Sequence, residues 1–136
     1  MALAVDKIDH IHVFVKDRAA AERWYADALG FQRVPALAHW ADEGGPVVLG
    51  DASENVKLAL FEGDPGKNRS TIAMAVGAEE FPAWQRHLEK TLSQEIKAVD
   101  HGVSWSLYFD DPDGNPFEIT TYEYDVLAPI LRGPKA

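Results

Sequence analysis

Asp9-His10-Ile11-His12-Val13-Phe14-Val15-Lys16-Asp17 and Tyr108-Phe109-Asp110-Asp111-Pro112-Asp113-Gly114-Asn115-Pro116-Phe117-Glu118 decide how this chain is read. The stretch from Ile8 to Val15 alternates and is rich in β-branched residues, which predicts a strand with His10, His12 and Phe14 on one face. Asp17 is placed to cap a following helix, Trp24, Tyr25, Ala28 and Leu29 give that helix an apolar stripe, and Gly30 suits its C-terminal cap. In the second stretch two strands flank a tight turn. Asp111-Pro112-Asp113-Gly114-Asn115 is acidic, yet it lacks the remaining loop ligands and the closing Glu of a calcium hand. It reads as the turn that sets the register of the strand bearing Glu118.

Working outward, three extended pieces are predicted at Phe31 to Ala38, Pro46 to Gly50 and Val56 to Glu62, and the Gly- and Pro-punctuated segment 63–69 reads as a loop. The order then recurs: strand Thr71 to Val76, helix about Ala78 to Leu92 with Phe81, Trp84 and Leu88 inward, and strands near Glu95 to Val99, Ser104 to Asp110 and Pro116 to Glu123. Setting Thr71 over His10 brings Trp84 over Trp24 and Asn115 over Asn55, with a residue of drift. In that alignment Thr71 is the counterpart of His10, and Leu58 is the counterpart of Glu118. Each half is β-α-β-β-β. The expectation is an α+β protein of one domain, residues 1–136, with repeat one at about 6–62, a linker at 63–69, repeat two at about 70–124 and a tail at 125–136. One such half buries a sheet face poorly, so the two repeats are expected to form curved mixed sheets around a central cavity.

Composition narrows the function classes. With 46% hydrophobic and 26% charged residues, the 136-residue chain can bury a core as one domain. Twenty-two acidic against 13 basic residues give a net charge of −9 with no basic run, which argues against a nucleic-acid partner. No apolar stretch approaches the roughly 20 residues that cross a bilayer, and the N-terminus lacks the features of a secretory signal, so a cytoplasmic protein without membrane partners is expected. There is no cysteine, so a metal must be held by nitrogen and oxygen. His87, on the predicted second helix, is expected to face solvent.

On Ile8-Asp9-His10-Ile11, Asp17, Trp24-Tyr25 and Leu29-Gly30-Phe31, together with Ser106-Leu107-Tyr108-Phe109, Asp111-Pro112-Asp113-Gly114-Asn115 and Phe117-Glu118-Ile119, the sequence resembles the vicinal oxygen chelate superfamily. That group holds glyoxalase I, extradiol ring-cleaving dioxygenases, fosfomycin-resistance transferases and bleomycin-binding resistance proteins. The resemblance implies a divalent ion, Fe, Mn, Zn or Ni, held by His10 and Glu118. It further implies a small-molecule substrate and a homodimer. Thr71 and Leu58 stand where other members place ligands, so no named activity of the group fits without a departure. His12, two residues from His10 on the same strand face, can complete a set of two histidines and a carboxylate; the alternative is a pocket residue that hydrogen-bonds substrate or Tyr108. A metal-free Glu118 bonded to His10 is a further alternative.

Asp100-His101-Gly102-Val103 ahead of the strand carrying Tyr108 resembles the ring-cleaving dioxygenases, which implies His101 as acid or base and Tyr108 as the group orienting a substrate hydroxylate. For these two the plainer readings are a solvent-exposed loop histidine and an aromatic closing the core. Trp40 and Tyr122 are candidates to line the pocket and stack on a flat ligand, with His39 beside Trp40 at a strand end. Two functional readings follow. One is a divalent-metal-dependent enzyme, dioxygenase-like or lyase-like, acting on a small oxygen-rich or aromatic molecule. The other is a metal-free binding or drug-sequestering resistance protein that holds a planar ligand against Trp40, Trp105 or Tyr122, its acidic character attracting a cationic drug. The apolar tail residues Val126, Leu127, Ile130 and Leu131 pack either on a second copy or on the chain's own sheet edge.

Overall fold

The computed structural model describes residues 3–4, 7–67 and 70–133. Residues 68 and 69 of the expected linker and residues 134–136 of the expected tail lie outside the described residues. The chain divides into two compact units that meet in sequence at residues 68 and 69.

In the first unit, β1 (Ile11–Val15) leads into α1 (Arg18–Leu29), then β2 (Gln32–Arg33), a 3₁₀ turn (Pro35–Leu37), α2 (His39–Asp42), β3 (Val47–Gly50) and β4 (Lys57–Glu62). The sheet order is β1-β4-β3-β2, with β1 parallel to β4 and the other pairs antiparallel. Helix α1 starts where the sequence predicts: the Asp17 carboxylate accepts the Ala20 N–H at 3.0 Å. It stops at Gly30, whose φ of 73° lets its N–H reach the Ala26 carbonyl while the Phe31 N–H reaches that of Tyr25. Ala21, Tyr25, Ala28 and Leu29 of α1 are buried, as are Val13, Val15, Leu58, Leu60, Val47 and Leu49 of the strands. Strand alternation puts the intervening residues His12, Phe14, Ala59, Phe61 and Val48 on the opposite face of the sheet.

The second unit repeats the pattern. β5 (Ile72–Ala75), α3 (Glu80–Leu92), β6 (Val99–Asp100), β7 (Trp105–Asp110), β8 (Pro116–Thr121) and a C-terminal α4 (Tyr124–Leu131) form a sheet ordered β5-β8-β7-β6, with β5 parallel to β8. Phe81 and Leu88 of α3 are fully buried, as are Leu107, Phe117 and Ile119 or nearly so. The other face carries Ser106, Tyr108, Glu118 and Thr120, since Tyr108 lies opposite Glu118 and Ser106 opposite Thr120.

The α+β expectation of two four-stranded mixed sheets is met, with four local differences. The extended piece at 31–38 shrinks to β2, because Pro35 interrupts the ladder and the following helix-forming run coils into α2, carrying Trp40 and His39 off the strand. The strand expected at 95–99 pairs only at Val99 and Asp100. The last strand ends at Thr121, and the tail forms α4, in which Leu127 is buried while Val126 and Ile130 stay exposed.

The fourth difference concerns the repeat. The first-unit turn, closed by the Asp51 N–H on the Val56 carbonyl, is one residue longer than the second, closed by the Asp111 N–H on the Asn115 carbonyl. In the ladders Ile11 pairs Leu58 and His12 pairs Ala59, whereas Ile72 pairs Phe117 and Ala73 pairs Glu118. The structural counterpart of Glu118 is therefore Ala59. Leu58 corresponds to Phe117, and both are core side chains with no exposure. Among the described residues no helix is long and apolar enough to cross a membrane.

Candidate functional site

At the start of the first sheet, His10 and His12 meet through their Nε2 atoms at 3.2 Å, with ring centroids 5.1 Å apart and planes inclined by 28°. Asp9 Oδ2 lies 2.9 Å from His10 Nδ1, and Lys57 Nζ lies 3.4 Å from the other Asp9 oxygen. That His10 bond and the Lys57 charge hold the Asp9 carboxyl below its ordinary range. A carboxylate on Nδ1 fixes the proton there in the neutral ring, which leaves the Nε2 lone pair directed at His12. His12 is backed by the Phe61 ring at 4.6 Å, and Phe61 in turn stacks on Phe14 at 5.7 Å. His12 thus meets His10 within its own unit.

In the second unit, the His101 Nε2 and the Tyr108 hydroxyl are 2.9 Å apart, with the rings edge to face. The αL conformation of Gly102 and the acceptance of its N–H by Asp100 Oδ1 shape the loop that turns His101 back toward β7. Tyr108 is 44% exposed, which rules out the plainer reading of a core-closing aromatic. One strand position away, Glu118 Oε2 accepts the Ser106 hydroxyl at 2.6 Å. The register of Glu118 is set by Asp111, whose buried carboxylate accepts the Asp113 and Asn115 N–H groups and the Asn115 side-chain amide. With its oxygens engaged inside the turn, Asp111 is a structural residue, as the sequence suggests.

Other candidates fall elsewhere. Trp40 sits on α2 against His39, at 38% exposure. Tyr122 lies beyond the end of β8 and lines a shallow depression of about 380 Å³ with Gly102, Val103 and residues of α4. Trp105 is excluded as a stacking platform: it is 3% exposed, lies on the core side of β7, stacks on Tyr124 at 5.1 Å and donates its indole N–H to the Tyr124 carbonyl. His87 is exposed, as expected. Asp9 and Ser106 escape a reading of the sequence, because neither is an unusual residue for a strand; only their side-chain partners single them out.

Two imidazole nitrogens each about 2.1 Å from one ion lie about 3.0 to 3.4 Å apart for angles between square and tetrahedral, so the His10–His12 spacing fits two neighbouring coordination positions. Neutral imidazole and carboxylate donors together suit Fe(II), Mn(II), Zn(II) or Ni(II). Among the described residues, no group of three or more His, Asp or Glu side chains is gathered into a metal cluster.

With the fold and these side chains in view, comparison with known proteins settles the family. The sequence model of the Glyoxalase/Bleomycin resistance protein/Dioxygenase superfamily matches residues 7–119, and the chain belongs to that superfamily. A biphenyl-2,3-diol 1,2-dioxygenase of Rhodococcus globerulus is 30% identical over 127 residues, a match covering 83% of this chain and 62% of the relative, so the chain spans less than two thirds of that relative's length. The fold is shared with a glyoxalase/dioxygenase from Nostoc punctiforme, with a TM-score of 0.65 and 21% identity over 90% of this chain and 97% of the other. It is also shared with a variant of the fosfomycin resistance protein FosX from Listeria monocytogenes complexed with Mn(II) and 1S,2S-dihydroxypropylphosphonic acid, with a TM-score of 0.64 and 18% identity over 85% and 90% of the two chains.

Proposed function

We propose that this chain is a divalent-metal-dependent enzyme of its superfamily, dioxygenase-like or lyase-like, that acts on a small oxygen-rich or aromatic molecule in the cytoplasm as a homodimer. His10, His12 and Glu118 are its metal ligands. The observation that carries the reading is the pair of imidazole nitrogens at 3.2 Å with Asp9 behind His10, an arrangement that favours the His10 tautomer whose Nε2 carries a lone pair. When bound, such an ion acts as a Lewis acid toward a coordinated substrate oxygen. The residues do the rest. Tyr108 offers an exposed hydroxyl that can hydrogen-bond a substrate hydroxyl or its anion, and His101, 2.9 Å away, can hold or release the proton that such a contact requires. Phe14 and Phe61 give the neighbouring surface of the first sheet an aromatic character suited to a flat substrate. The dioxygenase relative supports a ring diol as substrate, and the FosX complex with Mn(II) supports metal dependence.

A second reading, a metal-free protein that binds and sequesters a planar molecule, is favoured by one observation: Thr71 and Ala59 occupy the repeat-related positions of His10 and Glu118. One experiment separates the two. Protein purified without chelator is analysed for metals beside His10→Ala and Glu118→Ala, and oxygen uptake is followed with biphenyl-2,3-diol. Stoichiometric metal in the wild type that falls in both variants is the expected result. Metal-free wild type that binds an aromatic cation tightly would establish the second reading instead.

A further inference from the structure

His101 follows directly on β6, a strand two residues long at the edge of the second sheet, paired to β7 at Val99–Ser106 and Asp100–Trp105. A short edge segment with few backbone bonds opens at low cost in free energy, so a side chain held at a fixed place there needs a further anchor. The short edge strand of the first unit has one: Arg33 of β2 donates from Nε and Nη2 to the Glu22 carboxylate of α1 at 2.6 and 3.0 Å. In the second unit the anchor is Asp100. Its Oδ1 accepts the Gly102 N–H and the Tyr124 hydroxyl, each at 2.8 Å, and its Oδ2 accepts Arg132 Nε–H at 3.1 Å. Tyr124 begins α4 and Arg132 caps its far end, so one carboxylate grips the helix at both ends. The guanidinium also lies over the Tyr124 ring at 5.3 Å, and that ring is stacked on Trp105. An isolated surface ion pair fixes little, but a carboxylate shared by three donors and backed by stacked rings forms a network with one geometry.

We propose that Asp100 is a positioning residue: by gripping Tyr124 and Arg132 of α4 it holds the β6 edge in place and so keeps His101 at hydrogen-bonding distance from Tyr108. This rests on the reading of His101 and Tyr108 as the pair that binds a substrate hydroxyl and moves its proton. Strand alternation supplies the lever. Asp100 shares a face with its cross-strand partner Trp105, whereas the next residue, His101, reaches Tyr108 on the other face of β7. Tension on one face therefore sets where the imidazole stands on the other. Tyr108 lies within β7, paired along its whole length to β8, so of the two members of the pair His101 is the one whose place depends on a side-chain tie.

The test follows the His101 ring nitrogens by NMR in the whole chain carrying isotope-labelled histidine, with His101→Ala giving the assignment and Tyr108→Phe the signals of the unpaired ring. Thermal unfolding and oxygen uptake with biphenyl-2,3-diol are measured on the same variants. Asp100→Ala is expected to move the His101 ring signals most of the way to their positions in Tyr108→Phe. Should Asp100→Ala not fold, Tyr124→Phe combined with Arg132→Gln, which leaves the Gly102 contact in place, is expected to move them in the same direction. Glu22→Ala, which frees the edge strand of the first unit, is the control for a loosened edge and is expected to leave them unmoved. Turnover is expected to fall about 10- to 100-fold in Asp100→Ala. Added to His101→Ala, the same change is expected to have no further effect, because Asp100 acts through that imidazole. Ring signals that stay at wild-type positions when the Asp100 tie is cut, or that move as far in Glu22→Ala, overturn the positioning role and leave the reading of the pair intact. Signals that move while neither Asp100→Ala nor Tyr108→Phe lowers turnover support the positional link and overturn the reading of the pair. Wild-type signals identical to those of Tyr108→Phe overturn both.

Discussion

The Nε2 atoms of His10, just ahead of β1, and of His12, on β1, stand 3.2 Å apart, while Asp9 engages the far nitrogen of His10 at 2.9 Å. Two residues apart on an extended chain, their rings stack at 5.1 Å and share one outlook. In the metal-free chain one imidazole donates to the other. His10 and His12 are the residues of this unit that would offer nitrogen donors to an ion.

Asp9, at 2.9 Å from His10 Nδ1, favours the tautomer with the proton on that nitrogen. Asp9→Ala is therefore expected to lower transition-metal affinity by about 10-fold without lowering the thermal midpoint, since the carboxylate is exposed. Titration of Zn(II) into wild type and variant checks this. Equal affinities would assign Asp9 to the surface ion pair with Lys57 alone.

Tyr108 and His101 form a pair whose polar atoms touch while the tyrosine remains open to solvent. Tyr108→Phe is expected to reduce turnover about 100-fold and to leave folding stability unchanged. His101→Ala is expected to cost a similar factor, and the double variant no more than the worse single one, because the two act as a unit. Additive losses would separate their roles.

Helix α4 is tied to its unit through Asp100, which accepts from the Tyr124 hydroxyl at 2.8 Å and from Arg132 Nε at 3.1 Å. The Tyr124 hydroxyl first, then the Gly102 N–H and Arg132, hold the Asp100 carboxyl below its ordinary value of 3.8. A folded-state value below the unfolded one means that the stabilisation is complete above the unfolded value and is lost as pH falls through the folded one. Trp105, stacked on Tyr124, reports the event. Its fluorescence is expected to change in a transition below about pH 4 that Asp100→Asn abolishes. An unaltered transition in that variant would place the acid sensitivity elsewhere.

Two stability changes of opposite sign follow from packing and backbone. Phe117 has no exposure and stacks on Phe109 at 5.8 Å, so Phe117→Ala is expected to cost about 3–5 kcal/mol in denaturant unfolding. Ser93 caps α3 at φ 53° and ψ 44°, a left-handed conformation that strains a side chain. Ser93→Gly is expected to stabilise by about 1 kcal/mol, and a destabilised variant would show that the Ser93 side chain contributes more than its strain costs.

The sequence by itself determined the strand-helix-strand order of both repeats, the cap at Asp17, the stop at Gly30 and the turn at Asp111. Each is written in neighbouring residues, as strand alternation, a side chain within reach of its own backbone, or a glycine where φ must be positive. For the same reason His12 and Glu118 could be placed on strand faces, whereas the strand expected from Ile8 begins only at Ile11 and leaves His10 ahead of it. What tertiary structure alone decided was register and side-chain partnership. A single extra residue in the first hairpin moves the counterpart of Glu118 from Leu58 to Ala59 and turns Leu58 into the core, because a one-residue slip exchanges the two faces of a strand. The burial of Trp105, the pairing of His101 with Tyr108 and the proton that Ser106 gives to Glu118 depend on which strands lie side by side, and no local pattern encodes that.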